Sequence, residues 1–246
     1  MMNKNKSGVM LYLCIIIAGV LFVSSFISCG KEGTNIGTAN AKLNIVNLSL
    51  DVQPFNLYTH FFKQNSNNYR YPNASGYFLL NIADTPFQIR PAITNGVNQL
   101  NLLTLQTPLQ QHVNYTWFVT GLRADSSLAT VLTVDTGSLP AIGRGKIRFV
   151  NASPGSVGLN MTANDTLAFS KVAYKQVTDY IEVTAGSYDL NFTATSAPST
   201  VLKTLKNVPV LDGKLYTIYA YGLTNRTDTA AFGANIILNT LPDKNY

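Results

Sequence analysis

The sequence predicts an all-β protein: two tandem antiparallel β-sandwich domains, immunoglobulin-like or transthyretin-like, behind a cleavable leader. Three observations carry this. Apolar residues alternate with polar ones at a period of two, the chain repeats itself after residue 41, and turn residues interrupt it roughly every 8 to 12 positions. Composition excludes several other classes. Of 246 residues, 12% are charged and 46% hydrophobic, with thirteen Tyr and twelve Phe. Disordered chains are charge-rich and poor in aromatics, so a disordered tail is ruled out. Only two Glu occur and Gly has no three-residue period, which rules out coiled-coil and collagen-like chains. After residue 28 there remain 16 basic and 12 acidic residues, scattered along the chain. That balance is too weak for a nucleic-acid partner.

The leader comes first. Lys4 and Lys6 precede a 15-residue apolar stretch, Val9 to Val23, and small residues follow it up to Cys29. A basic start, a short apolar core and small residues describe a secretory signal, and the core is short for a membrane span. Phe26-Ile27-Ser28-Cys29 resembles the lipobox of bacterial lipoproteins. The resemblance implies cleavage after Ser28, diacylation of the Cys29 thiol and acylation of the new amino terminus, as with palmitate. An uncleaved anchor with an incidental cysteine is the alternative. Cys14 leaves with the leader, so the 217 residues after Cys29 contain no cysteine and no disulfide. Residues 29–41 read as a small, polar, flexible tether. This organisation predicts a lipoprotein of the cell envelope, in the outer membrane, facing either outward or toward the periplasm.

Two copies of one unit follow, at 42–142 and 145–242. Lys42 to Leu57 aligns without a gap on Lys146 to Met161, with Lys42/Lys146, Val46/Val150, Asn47/Asn151, Ser49/Ser153 and Asn56/Asn160 identical. Tyr77 matches Tyr180, and Tyr115, Thr116, Gly121 and Leu122 match Tyr216, Thr217, Gly222 and Leu223. Leu139-Pro140 echoes Leu241-Pro242, and a linker is expected near Ile142-Gly143-Arg144-Gly145. Within each unit Leu43, Ile45, Ile147 and Phe149 alternate with Lys42, Asn44, Lys146 and Arg148, which predicts strands with one buried and one solvated face. Asn164-Asp165 and Asp212-Gly213 are turn signals. About seven strands per unit fit a sandwich, and a small barrel shares the same period.

In the second unit, Arg148-Phe149-Val150-Asn151-Ala152-Ser153-Pro154, Val172-Ala173-Tyr174, Tyr180 to Tyr188 and Tyr216-Thr217-Ile218-Tyr219 with Gly222 resemble the domain-of-unknown-function 4397 family. The resemblance implies β-sandwich-like modules of secreted and lipid-anchored bacterial proteins. It covers roughly residues 145 to 224, and the first unit reads as a divergent copy.

Catalytic material is scarce. His60 and His112 lack a nearby acid or an H-E-x-x-H spacing, which leaves them as loop histidines rather than metal ligands. No G-x-S-x-G elbow occurs. Asp179 and Glu182 could converge with Asp165 or Asp189 as a hydrolase pair, yet alternation sets them on a solvated face. The expectation is a non-enzyme without metal or cofactor. Trp117, aligned with Ile218, is expected in the core. Tyr219 and Tyr221 fall on the face opposite Tyr216 and Ile218, so they either form an outward platform for a glycan or fill the contact between units. Tyr58 to Tyr71, with Tyr69 and Tyr71, is a second candidate binding segment. Eight Asn-x-Ser/Thr triplets after the leader, including those at Asn47 and Asn151, read as a consequence of an Asn- and Thr-rich composition. The leading expectation is a membrane-tethered module that binds a glycan or a surface-protein partner. The alternative is an assembly subunit that adds a partner strand at an edge near Lys146 to Val150.

Overall fold

The computed structural model describes residues 40–52, 54–92 and 100–239. The leader, Cys29, nearly all of the tether and Leu241-Pro242 lie outside the described residues. The first lobe contains β1 (Asn40–Asn47), β2 (Phe55–Thr59), β3 (Phe62–Lys63), β4 (Phe78–Asn81), β5 (Phe87–Pro91), β6 (Leu103–Leu105), β7 (Asn114–Thr120) and β8 (Ala129–Val134). The second contains β9 (Arg144–Asn151), β10 (Leu159–Ala163), β11 (Thr166–Val172), β12 (Ile181–Thr184), β13 (Gly186–Ala194), β14 (Ala197–Val210), β15 (Leu215–Tyr221) and β16 (Gly233–Leu238). Among the described residues no helix is long and apolar enough to cross a membrane.

Each lobe is a sandwich of two four-stranded sheets with the same plan. The inner sheets run β4-β1-β7-β8 and β12-β9-β15-β16; the outer sheets run β3-β2-β5-β6 and β11-β10-β13-β14. The fold is all-β and duplicated strand for strand. One feature departs from the antiparallel expectation: β1 pairs with β7 in parallel, and β9 with β15 likewise. Between β1 and β7 the chain lays two strands in the outer sheet, crosses back to add β4 at the inner-sheet edge, lays two more outer strands and returns in the original direction; β9 to β15 repeat this path. Alternation has the same period in either pairing, so the sequence did not distinguish them.

Packing follows the alternation. Leu43, Ile45, Tyr115 and Trp117 of the first inner sheet meet Phe55, Leu57, Phe87 and Ile89 of its outer sheet. Trp117 is fully buried. In the second lobe Ile147, Phe149, Tyr216 and Ile218 meet Met161, Phe169, Leu190 and Phe192. The other face of each inner sheet is not solvated. Val46, Leu48, Phe118 and Val131 pack directly on Val150, Ala152, Tyr219 and Ile237, so the inner sheets back onto each other within one compact unit, Ala39–Tyr246. Asn44 and Arg148, expected in solvent, are 1% and 5% exposed. Alternation reports that a strand has two faces; it does not report what covers the second.

Three further expectations are corrected. Asn40 and Ala41 already belong to β1, so the tether is shorter by two residues at this end. The connection between lobes spans 135–143, while Arg144 and Gly145 open β9; a Cβ on Gly145 would lie 2.4 Å from Val210 Cγ1, so close strand approach requires glycine there. Strand addition at Lys146 to Val150 is closed, because β9 is flanked by β12 and β15.

The repeated Asn-x-Ser triplet has a structural role. After β1, Asn47 accepts the Ser49 backbone N–H through Oδ1 (3.1 Å) and donates through Nδ2 to the Tyr69 carbonyl (3.3 Å), while the Ser49 hydroxyl donates to the Gly121 carbonyl (2.7 Å). After β9, Asn151 accepts the Ser153 N–H (3.0 Å) and donates to the Val172 carbonyl (2.9 Å), and Ser153 donates to the Gly222 carbonyl (2.6 Å). All four side chains are buried, so each triplet satisfies backbone groups that leave the ladder at a strand end. Gly121 and Gly222 sit at φ 84° and 73°, and a Cβ on either would lie 2.2 Å from a backbone oxygen.

Candidate functional site

The main candidate is a cleft of about 520 Å³ on the first lobe, lined by Gln64–Arg70, Asn73–Ser75, Phe78 and Leu79. It exists because the hairpin partner of β2 is cut short. In the second lobe β11 accompanies β10 along its whole length. In the first, β3 pairs only Lys63 with Tyr58 and Phe62 with Thr59. Beyond Lys63 the side chain of Asn65 replaces the missing strand: its Oδ1 accepts the Leu57 N–H (2.8 Å), and its Nδ2 donates to Asn56 Oδ1 (2.8 Å) and the Asn67 carbonyl (2.6 Å). Asparagine competes well for backbone groups and poorly as a strand former, so the Asn-rich run leaves the ladder here.

The far wall is equally fixed. Tyr69 exchanges both backbone hydrogen bonds with Phe55 on the outer sheet, at 3.2 and 2.9 Å. Five residues on, Ala74 bridges Val46 on the inner sheet, and the Ser75 hydroxyl accepts the Ile45 N–H (2.8 Å). The segment therefore closes the open side of the sandwich. Asn67, Asn68 and Asn73 are exposed on this frame, and their side chains form no hydrogen bond among the described residues. Tyr69 is 8% exposed and stacks obliquely on Phe55 at 5.7 Å; burial pushes its hydroxyl well above the usual tyrosine range. A rigid trough with free amides and an aromatic floor suits a polar ligand rich in hydroxyl groups.

Tyr71 lies apart from this trough, in a smaller hollow of about 300 Å³ with Leu50, Asp51, Val52, Pro54 and Arg70. Its hydroxyl is buried without a partner among the described residues; burial first, then Tyr221 and Asp228, push it up to about 12. Its ring meets Tyr221 edge-on at 6.0 Å, Tyr221 lies 6.0 Å from Tyr219, and Tyr219 lies 5.4 Å from Phe118. Tyr219 is 1% exposed. The pair Tyr219 and Tyr221 thus fills the contact between units; an outward glycan platform on these rings is corrected, because the first lobe covers that face. Only Tyr69 among the four tyrosines lines the main cleft.

The seam also contains a buried polar network that the sequence did not disclose. Arg148 donates from Nε to Thr217 Oγ1 (2.8 Å), from Nη1 to the Val134 carbonyl (2.7 Å) and from Nη2 to Asp135, forming an ion pair between lobes. The guanidinium also lies 4.6 Å from the centre of the Tyr180 ring. Tyr77 donates to Asp135 Oδ2 (2.5 Å) and accepts from Asn239 Nδ2 (2.8 Å). Burial, then the Asp135 carboxylate, hold the Tyr77 hydroxyl far above its usual range. The available signal was an arginine standing where the first copy has Asn44, on a strand otherwise built to be covered.

The carboxylates considered for hydrolysis divide between the two sheets. Glu182 lies on an inner-sheet edge, 3.7 Å from Lys146 Nζ, whereas Asp189 in the outer sheet accepts the Asn207 N–H at 2.8 Å. Asp165 occupies the β10–β11 turn and accepts from Asn191 at 3.5 Å. His60 and His112 are exposed turn residues at φ 53° and 60°. Among the described residues no group of three or more His, Cys, Asp or Glu side chains could hold a metal ion.

The family described as Domain of unknown function (DUF4397) matches the chain twice, over residues 41–157 and 145–240. The chain belongs to this family. The two matches follow the two lobes, the first running on through β9, so the first lobe is a family unit in its own right. No curated protein matches the chain.

Proposed function

We propose that the protein is a non-catalytic binding or adhesion module of the cell envelope, anchored in the outer membrane through acylated Cys29 and binding a glycan in the first-lobe cleft. The observation that carries the binding site is the trio Asn67, Asn68 and Asn73: exposed amides without partners among the described residues, on a backbone pinned by Asn65 and Ser75. Amides both donate and accept, which matches sugar hydroxyls, and a fixed frame lowers the ordering cost of binding. Phe78 and Leu79 add apolar surface for the C–H faces of a sugar ring. The anchor rests on the lipobox-like Phe26-Ile27-Ser28-Cys29.

The test is a glycan array probed with the full chain and with an Asn67→Ala/Asn73→Ala variant. Binding by the parent that the variant loses supports the reading. Uniformly blank arrays, or binding indifferent to the two substitutions, overturn the assignment of the cleft. Intact-mass measurement of the purified native protein reads the anchor separately, through loss of residues 1–28 and added acyl mass.

A further inference from the structure

Several of the most exposed apolar side chains gather at one end of the strands. Thr59-His60-Phe61-Phe62 forms the tip of the β2–β3 hairpin, with Phe61 86% and Phe62 74% exposed. Neither ring lines the cleft or joins a core. Hydrogen-bonded register fixes where this tip lies. Asn40, the first residue of β1, pairs with Asn81, the last of β4; residues 82–86 then lead to Phe87, which pairs with Thr59 beside the tip. The connection between lobes belongs to the same end. The Asn40 carbonyl accepts the His112 N–H, β7 begins at Asn114, and the Asn114 carbonyl accepts the Asp135 N–H where that connection starts. Along it come Leu139 and Ile142, 70% and 98% exposed, and the Gly143 N–H binds Asp212 beside Leu211, 55% exposed. At the opposite strand ends the β7–β8 turn, Leu122 to Ser127, presents the polar Arg123, Asp125 and Ser126.

We infer that this end of the molecule rests in the interfacial layer of a lipid bilayer, with Phe61 and Phe62 as its principal inserted groups and Leu139, Ile142 and Leu211 beside them. The choice of a bilayer over a protein partner follows from the path of the chain. Residues 1–39 join the sandwiches at Asn40, and Cys29 stands only eleven residues before it. Eleven residues reach at most about 40 Å even when fully extended. The face therefore stays within reach of the surface that holds the lipid, and aromatic and aliphatic side chains partition into that layer. Exposed apolar groups clustered on one surface call for a partner, whereas singly scattered ones such as Val157 at the far end do not. The inference rests on the anchored reading of Cys29 given above. It adds an orientation: the strands stand away from the membrane, with the β7–β8 turn farthest from it.

The experiment places full-chain Phe61→Trp and Val157→Trp variants in phosphatidylcholine vesicles with brominated acyl chains. Val157 is 88% exposed between β9 and β10, at the far end, and the buried Trp117 is a common background. A blue shift and loss of emission at position 61, absent at position 157, supports the inference. Equal responses at both positions, or no quenching at position 61 while the protein floats with the vesicles, overturns it. So does self-association of the parent in detergent that a Phe61→Ser/Phe62→Ser variant loses, since the face then serves a second copy. Failure of the anchor reads out differently: intact mass without acyl groups on Cys29 removes the tether, while quenching at position 61 still decides whether the face meets lipid.

Discussion

The two lobes share one strand plan and differ where β2 and β10 meet their hairpin partners. β11 (Thr166–Val172) runs beside all of β10, and the turn Asn164-Asp165, at φ 46° and 63°, joins them as a two-residue hairpin. β3 (Phe62–Lys63) stops after two residues, and an asparagine side chain takes over the Leu57 N–H. The first lobe thereby exchanges a closed sheet edge for a cleft with free amides, and the second keeps the plain sandwich. Duplication lets one copy preserve the frame while the other diverges and opens a cleft. The residues kept in both copies, Asn47/Asn151, Ser49/Ser153 and Gly121/Gly222, tie strand ends; where the copies differ, Arg148, Asp135 and Asn239 connect the lobes, while Asn44 bonds within its own lobe.

The strongest way to break the comparison is at that seam. Asp135→Ala strips the partner from Arg148, whose side chain is 6% exposed, and leaves a buried guanidinium unpaired. Removing one member of a buried pair costs about 3–5 kcal/mol. Urea titration should show a loss of this size, and Asp135→Asn, which restores the amide found at position 239, should recover part of it. A loss below about 1 kcal/mol would mean that water reaches the seam and that the lobes are only loosely apposed.

A smaller effect tests whether the lobes unfold together. Gly222→Ala forces a left-handed φ and drives a Cβ against the Ala231 carbonyl oxygen, in the second lobe alone. Strain of this kind costs about 1–3 kcal/mol. Trp117 reports only the first lobe, because it lies within that lobe's core. If the shared seam makes the unit cooperative, Trp117 fluorescence should shift its midpoint together with far-UV circular dichroism. A Trp117 transition that ignores the substitution would separate the lobes energetically.

Asn65→Ala sharpens the comparison at the cleft. The Leu57 N–H loses its acceptor, at about 1 kcal/mol for a hydrogen bond that water can partly replace. The stability change is modest, but the wall from Asn65 to Asn67 loses its pins, so glycan binding should fall more than stability does. The matching second-lobe variant, Asn160→Ala, removes the acceptor for the Lys171 N–H and should leave binding unchanged.

What could be read beforehand follows from what a period of two contains. It assigned Leu43, Ile45, Ile147 and Phe149 to cores, and Trp117 with them, because burial of one face is written in the residues themselves. It misassigned Asn44 and Arg148 and left Tyr219 between an outward platform and the contact between units, because the cover over their face comes from a segment a hundred residues away. Tyr58 to Tyr71 stood out by composition, and the cleft lies along part of it; the supporting role of Asn65 did not, since it depends on which backbone N–H the neighbouring strand leaves free. Asp135 was a single acid at a strand end, and nothing local pairs it with Arg148.

The smallest expected effect concerns the tyrosines at the seam. Tyr71 has a buried hydroxyl without a partner among the described residues and is pushed up from 10.0 to about 12. A group whose value is raised on folding stabilises the protein fully below its unfolded value and loses that contribution as the pH climbs through the folded one. Tyr71 therefore contributes a decline in stability between pH 10 and about 12, and Tyr69, Tyr77 and Tyr219, raised further by burial, extend the decline above that window. Tyr71→Phe keeps the edge contact with Tyr221 and removes only the oxygen. At pH 7 its urea midpoint should match the parent, since no hydrogen bond is lost, and between pH 10 and about 12 its stability should fall less steeply. A pH 7 loss of more than about 1 kcal/mol would show that the hydroxyl has a partner after all, and the hollow beside Asp51 and Arg70 would then be its place.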